Sequence, residues 1–277
     1  MNPAENPYRT TLNNPFYGRE EIFRWIDSQL PGPLPAQPLL LIGPPGSGKT
    51  AILKQLEAGR LDRTEGEEER YCFLYVPLAG IPREDEERFL WAVAQQAEQS
   101  VRRQGMRPLL LRLQPFAGDT PDTFLEKVVQ PVLAQRGDDE LVLMLDDVEP
   151  LVGPAARETG RDLRSLLHQL VQVEPRLRYL FTYTGTASEE TPDMAPFPAP
   201  HTHVIGPLSH EAVHALVQEP APFSVYSGVT EYIAATTKGQ PTVIRRLCQA
   251  LYEQWQTDRI RQITVADVVR VERKLAN

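Results

Sequence analysis

The sequence predicts an α/β protein in which a parallel sheet is flanked by helices and is followed by a smaller helical subdomain. Between residues 37 and 206, apolar runs of strand length alternate with amphipathic helical segments. Parallel strands need such crossovers, so the alternation favours a parallel sheet. After Pro207, apolar residues recur only at helical spacing. We therefore expect an N-terminal segment and helix at 1–36, an α/β core at 37–206 and a helical subdomain at 207–277.

Each element of the core is predicted from its own apolar pattern. Buried strands are indicated by short apolar runs, and helices by apolar residues at three- and four-residue spacing. The stretch Arg107–Leu113 fits both patterns equally. In chain order, the expected strands are 38–42, 71–76, 141–145, 179–184 and 202–205. The expected helices lie around 22–30, 52–59, 86–103, 122–133, where Pro131 disturbs the pattern, and 163–170.

Capping residues mark the helices of the C-terminal subdomain. Ser209 precedes an apolar helical pattern, and Thr264 with Asp267 forms a capping box three residues apart. No strand is expected beyond residue 207. The expected helices are 211–218, 229–237, 242–255 and one that follows Thr264.

Composition and charge narrow the possible functions. Of 277 residues, 41% are apolar and 24% are charged, as in ordinary globular proteins, which excludes wholesale disorder. The formal net charge is −8, whereas duplex-binding domains usually carry a basic surplus, so we do not expect nucleic acid as a partner. Neither a signal peptide nor an apolar run of membrane-spanning length is present, so we expect a cytoplasmic protein without membrane contact.

A glycine-rich segment between a predicted strand and a predicted helix has the pattern of a phosphate-binding loop. Residues Gly43–Thr50 satisfy G-x-x-x-x-G-K-[ST], and we call this segment the phosphate loop. Its glycines allow backbone N–H groups to converge on a polyphosphate at a helix N-terminus. Lys49 would reach the β- and γ-phosphates and assist catalysis, and Thr50 would ligate Mg²⁺. The predicted nucleotide-binding residues here are Pro45, Gly46, Ser47, Gly48, Lys49, Thr50 and Ala51.

A cluster of acidic residues follows the third predicted strand. Mg²⁺ prefers oxygen ligands, and Asp146 is predicted to supply a second one beside Thr50, although a turn or helix-cap aspartate would have the same pattern. Asp147 is a candidate for orienting or deprotonating the attacking water, and Glu149 is a further catalytic candidate. An aspartate is shorter than a glutamate, so the role of Asp147 as base stays open.

The phosphate loop, the strand ending in Asp146-Asp147 and the segment Phe16-Tyr17-Gly18-Arg19-Glu20 resemble the AAA+ and STAND class of P-loop ATPases. The chain is most similar to the bacterial STAND and the archaeal or origin-recognition-like branches, whose helical lid carries a Gly-x-Pro. Here that motif is Gly239-Gln240-Pro241. The resemblance covers almost the whole chain and implies a P-loop ATPase core with a C-terminal lid, binding ATP or ADP with Mg²⁺.

The resemblance also implies roles for individual residues outside the phosphate loop. Phe16, Tyr17 and Gly18 would lie near the adenine, and Pro241 would close over it. Thr184 or a close neighbour would take a polar sensor position at the end of the fourth strand. Two alternatives that need no bound nucleotide stay open. Phe16 and Tyr17 could form a hydrophobic staple for the following helix. The Gly-x-Pro could simply end one helix and begin the next.

One departure from ring-forming AAA+ ATPases concerns the arginine finger. From Tyr179 to Thr237 the chain contains no arginine or lysine, whereas ring-forming ATPases usually place the finger in that region. Without such a cation, transition-state charge is less well stabilised, so we expect a slow ATPase. The possible substitutes elsewhere in the chain are Arg161, Arg164, Arg176, Arg178, Arg245 and Arg246.

These observations favour a slowly hydrolysing, STAND-like ATPase that acts as a nucleotide-dependent switch in a bacterial signalling or defence-type assembly. We expect a protein partner that carries a sensor or effector, and a nucleotide-dependent oligomer is possible in this class. The alternative is a DNA-associated AAA+ ATPase of the initiator or transposition-adaptor type, assembling on duplex DNA.

Overall fold

The computed structural model describes residues 6–9, 16–31, 37–59, 70–83, 85–109, 111, 120–152, 163–186, 192–258 and 262–276. The chain divides into two units. The first unit comprises the described residues of Met1–Glu21, Pro45–Gly48 and Gly206–Asn277. The second comprises those of Ile22–Pro44 and Lys49–Ile205.

The second unit is built on a five-stranded sheet in which every described pairing is parallel. Its strand order is β2-β3-β4-β1-β5, and the apolar runs β1 to β4 are almost wholly buried, as expected for a sheet covered on both faces. The predicted fold class, a parallel sheet flanked by helices, is therefore confirmed. The strands are β1 (Leu39–Gly43), β2 (Tyr71–Pro77), β3 (Glu140–Asp146), β4 (Leu177–Thr184) and β5 (His201–Val204).

The register of the sheet brings the carboxyl ends of three strands together. β4 lies between β3 and β1, with Leu145 opposite Phe181 and Gly43 opposite Thr184. In open parallel sheets, the loops at this edge form the usual ligand site. The sheet therefore positions the segments that follow Gly43, Asp146 and Thr184 beside one another.

Helices of the second unit follow the predicted apolar patterns closely. The buried residues of most of these helices form the main core with one face of the sheet, which carries Leu40, Leu74, Leu143 and Phe181. Within the part of the chain that the structure describes, no helix is both long enough and apolar enough to cross a bilayer. The helices are α1 (Glu20–Gln29), α2 (Lys49–Glu57), α3 (Glu86–Arg103), α4 (Pro121–Phe124), α5 (Gln130–Arg136), α6 (Glu149–Val152) and α7 (Leu163–Val173).

The region predicted as one helix disturbed by Pro131 is helical but not uniformly α-helical. Between α4 and α5, Leu125–Val129 forms a π-helical turn, and the Gln130 N–H donates to Leu125 O. A proline has no N–H and crowds the preceding turn of an α-helix. The wider turn just before Pro131 lets the chain continue as a helix to Arg136.

The first unit has its own apolar core, formed mainly by four helices. Ser209 caps the first of them, as predicted, by accepting from the Ala212 N–H. The expectation that no strand follows residue 207 was wrong. The two-residue strands β6 (Ser224–Val225) and β7 (Gln262–Ile263) pair in parallel, and they are too short to show a sequence period. The helices are α8 (His210–Gln218), α9 (Val229–Thr237), α10 (Pro241–Asp258) and α11 (Val265–Ala276).

Candidate functional site

In the second unit, Lys49 is a buried cation at the first position of α2. Its Nζ donates to Gly43 O at 2.7 Å and lies 3.4 Å from Pro44 O. Burial lowers the pKa of Lys49, and the carboxylates of Asp147 and Glu149 oppose that shift. The cation is thus held by neutral carbonyls, which a phosphate oxygen would outcompete because a charge-assisted hydrogen bond is stronger.

Asp146, at the end of β3, accepts hydrogen bonds from three hydroxyl groups and is 3% exposed. Its Oδ2 accepts from Thr50 Oγ1 at 2.7 Å and from Tyr75 OH at 3.1 Å. Its Oδ1 accepts from Thr182 Oγ1 at 2.6 Å. Burial is the main cause of the raised pKa of Tyr75, and the Asp146 carboxylate raises it further. The two predicted metal ligands, Thr50 and Asp146, are therefore in direct contact.

Asp147 combines an exposed side chain with a constrained backbone. Its φ of 60° lies in the left-handed region, which non-glycine residues seldom adopt. The conformation is held by the Asp147 N–H, which donates to Thr182 Oγ1 at 2.9 Å. Desolvation and the carboxylates of Asp146 and Glu149 raise the pKa of Asp147. A carboxyl with a raised pKa beside Lys49 can act as a general base, so the geometry is compatible with the predicted role.

Glu149 has a structural partner in the same unit. Its Oε1 accepts a hydrogen bond from the backbone N–H of Thr184, the residue predicted at the sensor position. Glu149 begins the short helix α6, so this bond ties the segment after β3 to the end of β4. A catalytic role for Glu149 beside Asp147 stays a prediction.

The raised pKa of Asp147 leads to a stability prediction for Asp147→Asn. Because this pKa is higher in the folded chain than the unfolded value near 3.8, ionisation opposes folding above the folded pKa, and the penalty disappears below 3.8. Asparagine also tolerates left-handed backbone. We expect Asp147→Asn to melt above wild type at pH 7, with the difference shrinking toward about pH 4, as followed by circular dichroism.

Asp147→Ala serves as the control for the backbone. Alanine lacks the local polar side chain that eases left-handed φ, which costs roughly 1–2 kcal/mol, so it should melt below the asparagine variant at both pH values. A wild-type protein that melts above Asp147→Asn at pH 7 would contradict the electrostatic interpretation.

In the first unit, the tip of the phosphate loop (Pro45–Gly48, hereafter the loop tip) has the backbone that its glycines predict. Gly46 and Gly48 have φ values of 76° and 99°. A Cβ on Gly46 would lie 3.1 Å from Thr242 Oγ1. The Ser47 hydroxyl is buried and finds no hydrogen-bond partner among the described residues. An unsatisfied hydroxyl in such a loop fits a site that accepts a polar ligand.

The predicted adenine-side residues have packing roles in the first unit. Tyr17 packs against the core of this unit, and burial together with the Glu219 carboxylate raises its pKa to about 12. Phe16 is half-buried. A Cβ on Gly18 would lie only 2.2 Å from Ala212 Cβ, so glycine is required by close packing against α8. Contact of these three residues with adenine stays a prediction.

The Gly-x-Pro segment lies between the end of one helix and the start of the next, as the alternative without a bound nucleotide predicted. Gly239 has a φ of 67°, and Pro241 is the first residue of α10. The residues on either side of Pro241 nevertheless contact the loop tip: Gln240 Nε2 donates to Pro45 O at 2.7 Å, and Thr242 Oγ1 donates to Gly46 O at 2.9 Å. The helix-boundary role therefore does not exclude a role near the phosphates.

The candidate finger arginines of the second unit are held by other contacts. Arg178 is buried near the start of β4 and pairs with Glu140, and Arg176 pairs with Glu174 at 3.3 Å. Both arginines lie at the amino end of β4. The first residue of the phosphate loop, Gly43, pairs with Thr184 at the carboxyl end of that strand. Arg164 donates to Asp193 O at 2.7 Å. Arg161 lies outside the described residues.

The two candidate arginines of the first unit lie on α10. Arg246 is exposed, and Arg245 is half-buried. Burial lowers the pKa of Arg245, and the nearby Tyr17 opposes that shift. Nothing among the described residues of this unit identifies either one as a finger.

Three residues that contact the candidate site were not predicted from the sequence to do so. Tyr75 and Thr182 donate to Asp146, and they come from strands that neighbour β3 in the sheet. Arg19 donates to Ser47 O and to Gly206 O, both at 3.0 Å. Arg19 belongs to the segment that carries the resemblance, which is the one available signal. The contacts of Tyr75 and Thr182 with Asp146 could be predicted only with knowledge of the strand order.

The donor set fits a metal bound together with a nucleotide. Among the described residues, no group of three or more His, Cys, Asp or Glu side chains could hold a metal by itself. Thr50 and Asp146 offer oxygen ligands, which suits Mg²⁺, an ion that is usually bound by one or two protein groups together with phosphates and water. These two residues would hold the ion, whose charge would neutralise the phosphates.

Comparisons of the sequence with known proteins point to one family. A model of the AAA ATPase domain matches residues 15–181. No curated protein sequence matches the chain.

Comparisons of the structure find the same fold in solved proteins. The chain is similar to the Aeropyrum pernix ORC1 protein in complex with DNA, with 16% identity and a TM-score of 0.60 over 95% of this chain and 67% of that one. It is similar to Drosophila ORC bound to DNA, with 12% identity and a TM-score of 0.64 over 100% and 68%. The Thermotoga maritima RuvB Holliday junction branch migration motor gives 15% identity and a TM-score of 0.55 over 98% and 74%.

Identities this low support only the shared fold, whereas the family match rests on the sequence itself. That match contains the phosphate loop, the contact between Thr50 and Asp146, and Asp147. It spans well over half of the 277 residues. The chain therefore belongs to the AAA ATPase domain family and is an AAA+ class P-loop ATPase.

Proposed function

We propose that this protein binds ATP and ADP with Mg²⁺ at the phosphate loop, hydrolyses ATP slowly and acts as a nucleotide-dependent regulatory switch for a protein partner. The observation that carries the proposal is the contact of Thr50 with Asp146 at the end of β3, beside the buried Lys49. A buried cation and a pair of oxygen ligands at the carboxyl edge of a parallel sheet suit a nucleoside polyphosphate with its metal.

In this proposal, the chain's own groups divide the chemistry among them. Lys49 binds phosphate oxygens, and Thr50 and Asp146 hold the metal ion. Asp147 orients the attacking water and accepts its proton, which its raised pKa favours. Slow turnover follows from the absence of arginine and lysine between Tyr179 and Thr237 in the sequence. The described candidates of the second unit, Arg164, Arg176 and Arg178, all have protein partners in that unit.

The proposed function is tested by measuring turnover and retained nucleotide on one preparation. An arginine finger raises hydrolysis rates by about 10³ to 10⁵, so without one the purified protein should turn over far more slowly than about 1 per second. Denaturing extraction followed by chromatography should release ADP if the switch rests in its ADP-bound form. Fast hydrolysis that rises steeply with protein concentration would instead indicate a self-assembling ATPase with a finger supplied in trans.

A second candidate function is a DNA-associated ATPase, and a charged surface in the first unit favours it. One face of α11 presents Arg270, Arg273 and Lys274 beside Ala266 and Val269. Residues 259–277 contain five basic and two acidic residues in a chain of net charge −8. The expectation that nucleic acid is not a partner, which rested on the net charge of the whole chain, is therefore not supported. Two proteins of similar fold were solved with DNA.

The same preparation separates the two candidates. A gel shift with duplex DNA at moderate salt, strengthened by ATP and lost in Arg273→Glu/Lys274→Glu, would favour the DNA-associated ATPase, because phosphate contacts carry most duplex affinity. No shift with or without ATP favours the switch.

A further inference from the structure

Three successive carbonyl groups of the loop tip each accept a hydrogen bond from a different side chain of the first unit. Pro45 O accepts from Gln240 Nε2 at 2.7 Å, Gly46 O from Thr242 Oγ1 at 2.9 Å, and Ser47 O from Arg19 at 3.0 Å. A short glycine-rich turn would otherwise sample many backbone conformations. Three consecutive side-chain donors leave these peptide units little freedom.

The carbonyl contacts also orient the amides that would bind phosphate. In a trans peptide, the C=O of one residue and the N–H of the next point in opposite directions. Donors that fix the carbonyls of residues 45, 46 and 47 therefore fix the N–H groups of Gly46, Ser47 and Gly48 on the other side of the loop. These are amides that a phosphate loop turns toward its anion.

Two of the three donors, Arg19 and Gln240, are placed by closely packed structure. Arg19 is 6% exposed, and its second donor contact, to Gly206 O at 3.0 Å, holds the guanidinium in place. Gln240 follows Gly239, where a Cβ would lie 2.7 Å from Leu208 O. The position of Gln240 thus depends on a close approach that only glycine allows.

We propose that Arg19, Gln240 and Thr242 form a loop clamp, a set of positioning residues that holds the loop tip in its phosphate-binding conformation. The inference rests on the proposed nucleotide binding and adds a way in which that binding is regulated. Gln240 and Thr242 flank Pro241 at the start of α10, so a displacement of this helix start removes two donors together. Any partner that moves this segment would thereby change phosphate affinity without touching the nucleotide.

The test compares AMP, ADP and ATP affinities of the full chain by titration calorimetry. Thr242→Val removes the hydroxyl at nearly constant volume, and Gln240→Ala removes the amide. We expect each to weaken ADP and ATP binding by about 3- to 10-fold and the double variant by more. AMP binding should change much less, because it lacks the β- and γ-phosphates. Thr242→Ser keeps the donor and should keep the wild-type affinity.

The outcomes distinguish the clamp from the function on which it rests. A wild-type protein that binds ADP, with both variants equal to it, overturns the clamp and leaves the proposed function standing. Equal loss for AMP and ADP would also overturn it, since the donors would then serve general folding. If wild type binds none of the three nucleotides, the proposed function fails, and the clamp fails with it.

Discussion

Lys49→Ala should abolish measurable binding of ATP and ADP. The side chain is the only cation in the phosphate loop sequence, and the hydrogen bonds of its Nζ go to neutral carbonyls, which it can exchange for phosphate oxygens. A hydrogen bond to a charged group contributes about 1.5–3 kcal/mol, and contacts to two phosphates would together give at least about 100-fold in affinity. Titration calorimetry with Mg²⁺ measures the loss.

Lys54→Ala is the matched control for Lys49→Ala. Lys54 carries the same charge on the same helix, but it is exposed and its Nζ lies 5.7 Å from the centre of the Tyr75 ring. Its removal should leave nucleotide affinity unchanged. Loss of Lys49 also removes the donor to two carbonyls, so a lower melting temperature is expected. Unchanged affinity in Lys49→Ala would overturn the phosphate-loop assignment.

Asp146→Asn should remove the dependence of nucleotide binding on Mg²⁺. The substitution takes away the negative charge beside Thr50 and places an amide donor among three hydroxyl donors. An unsatisfied buried polar group costs about 1–3 kcal/mol, so the variant should also be less stable. Affinities for ATP measured with Mg²⁺ and with a chelator should differ in wild type and agree in Asp146→Asn.

A further variant separates the charge of Asp146 from its hydrogen bonds. Tyr75→Phe removes one donor to Asp146 but keeps the carboxylate, so its Mg²⁺ dependence should match wild type.

Asp147→Asn separates the metal ligand from the proposed base. It should bind Mg²⁺ and nucleotide normally while losing hydrolysis, because it removes the proposed base and spares the ligand. Equal loss of binding in Asp146→Asn and Asp147→Asn would show that ligand and base cannot be assigned separately.

The sequence alone determined the elements whose patterns are local. Helix α3 begins and ends at the predicted residues, because its amphipathic stripe lies within one segment and Asp85, which accepts from the Glu87 and Arg88 N–H groups, caps its start. The phosphate loop was recognisable because its glycines and Lys49 must lie at fixed spacing to surround an anion. Asp146 was predictable for a similar reason, since a carboxylate directly after a buried strand falls at the edge where ligands bind.

The tertiary structure decided which other distant residues contact Asp146 and the loop tip. Tyr75 reaches Asp146 across 71 positions, and Thr242 reaches Gly46 across 196. The order of strands in the sheet brings the first pair together, and the packing of α10 within its unit brings the second. A residue's own neighbours in the chain carry no record of such partners. Hydrogen bonds to Asp146 and to the loop tip form only once those elements have packed, because packing sets both distance and direction.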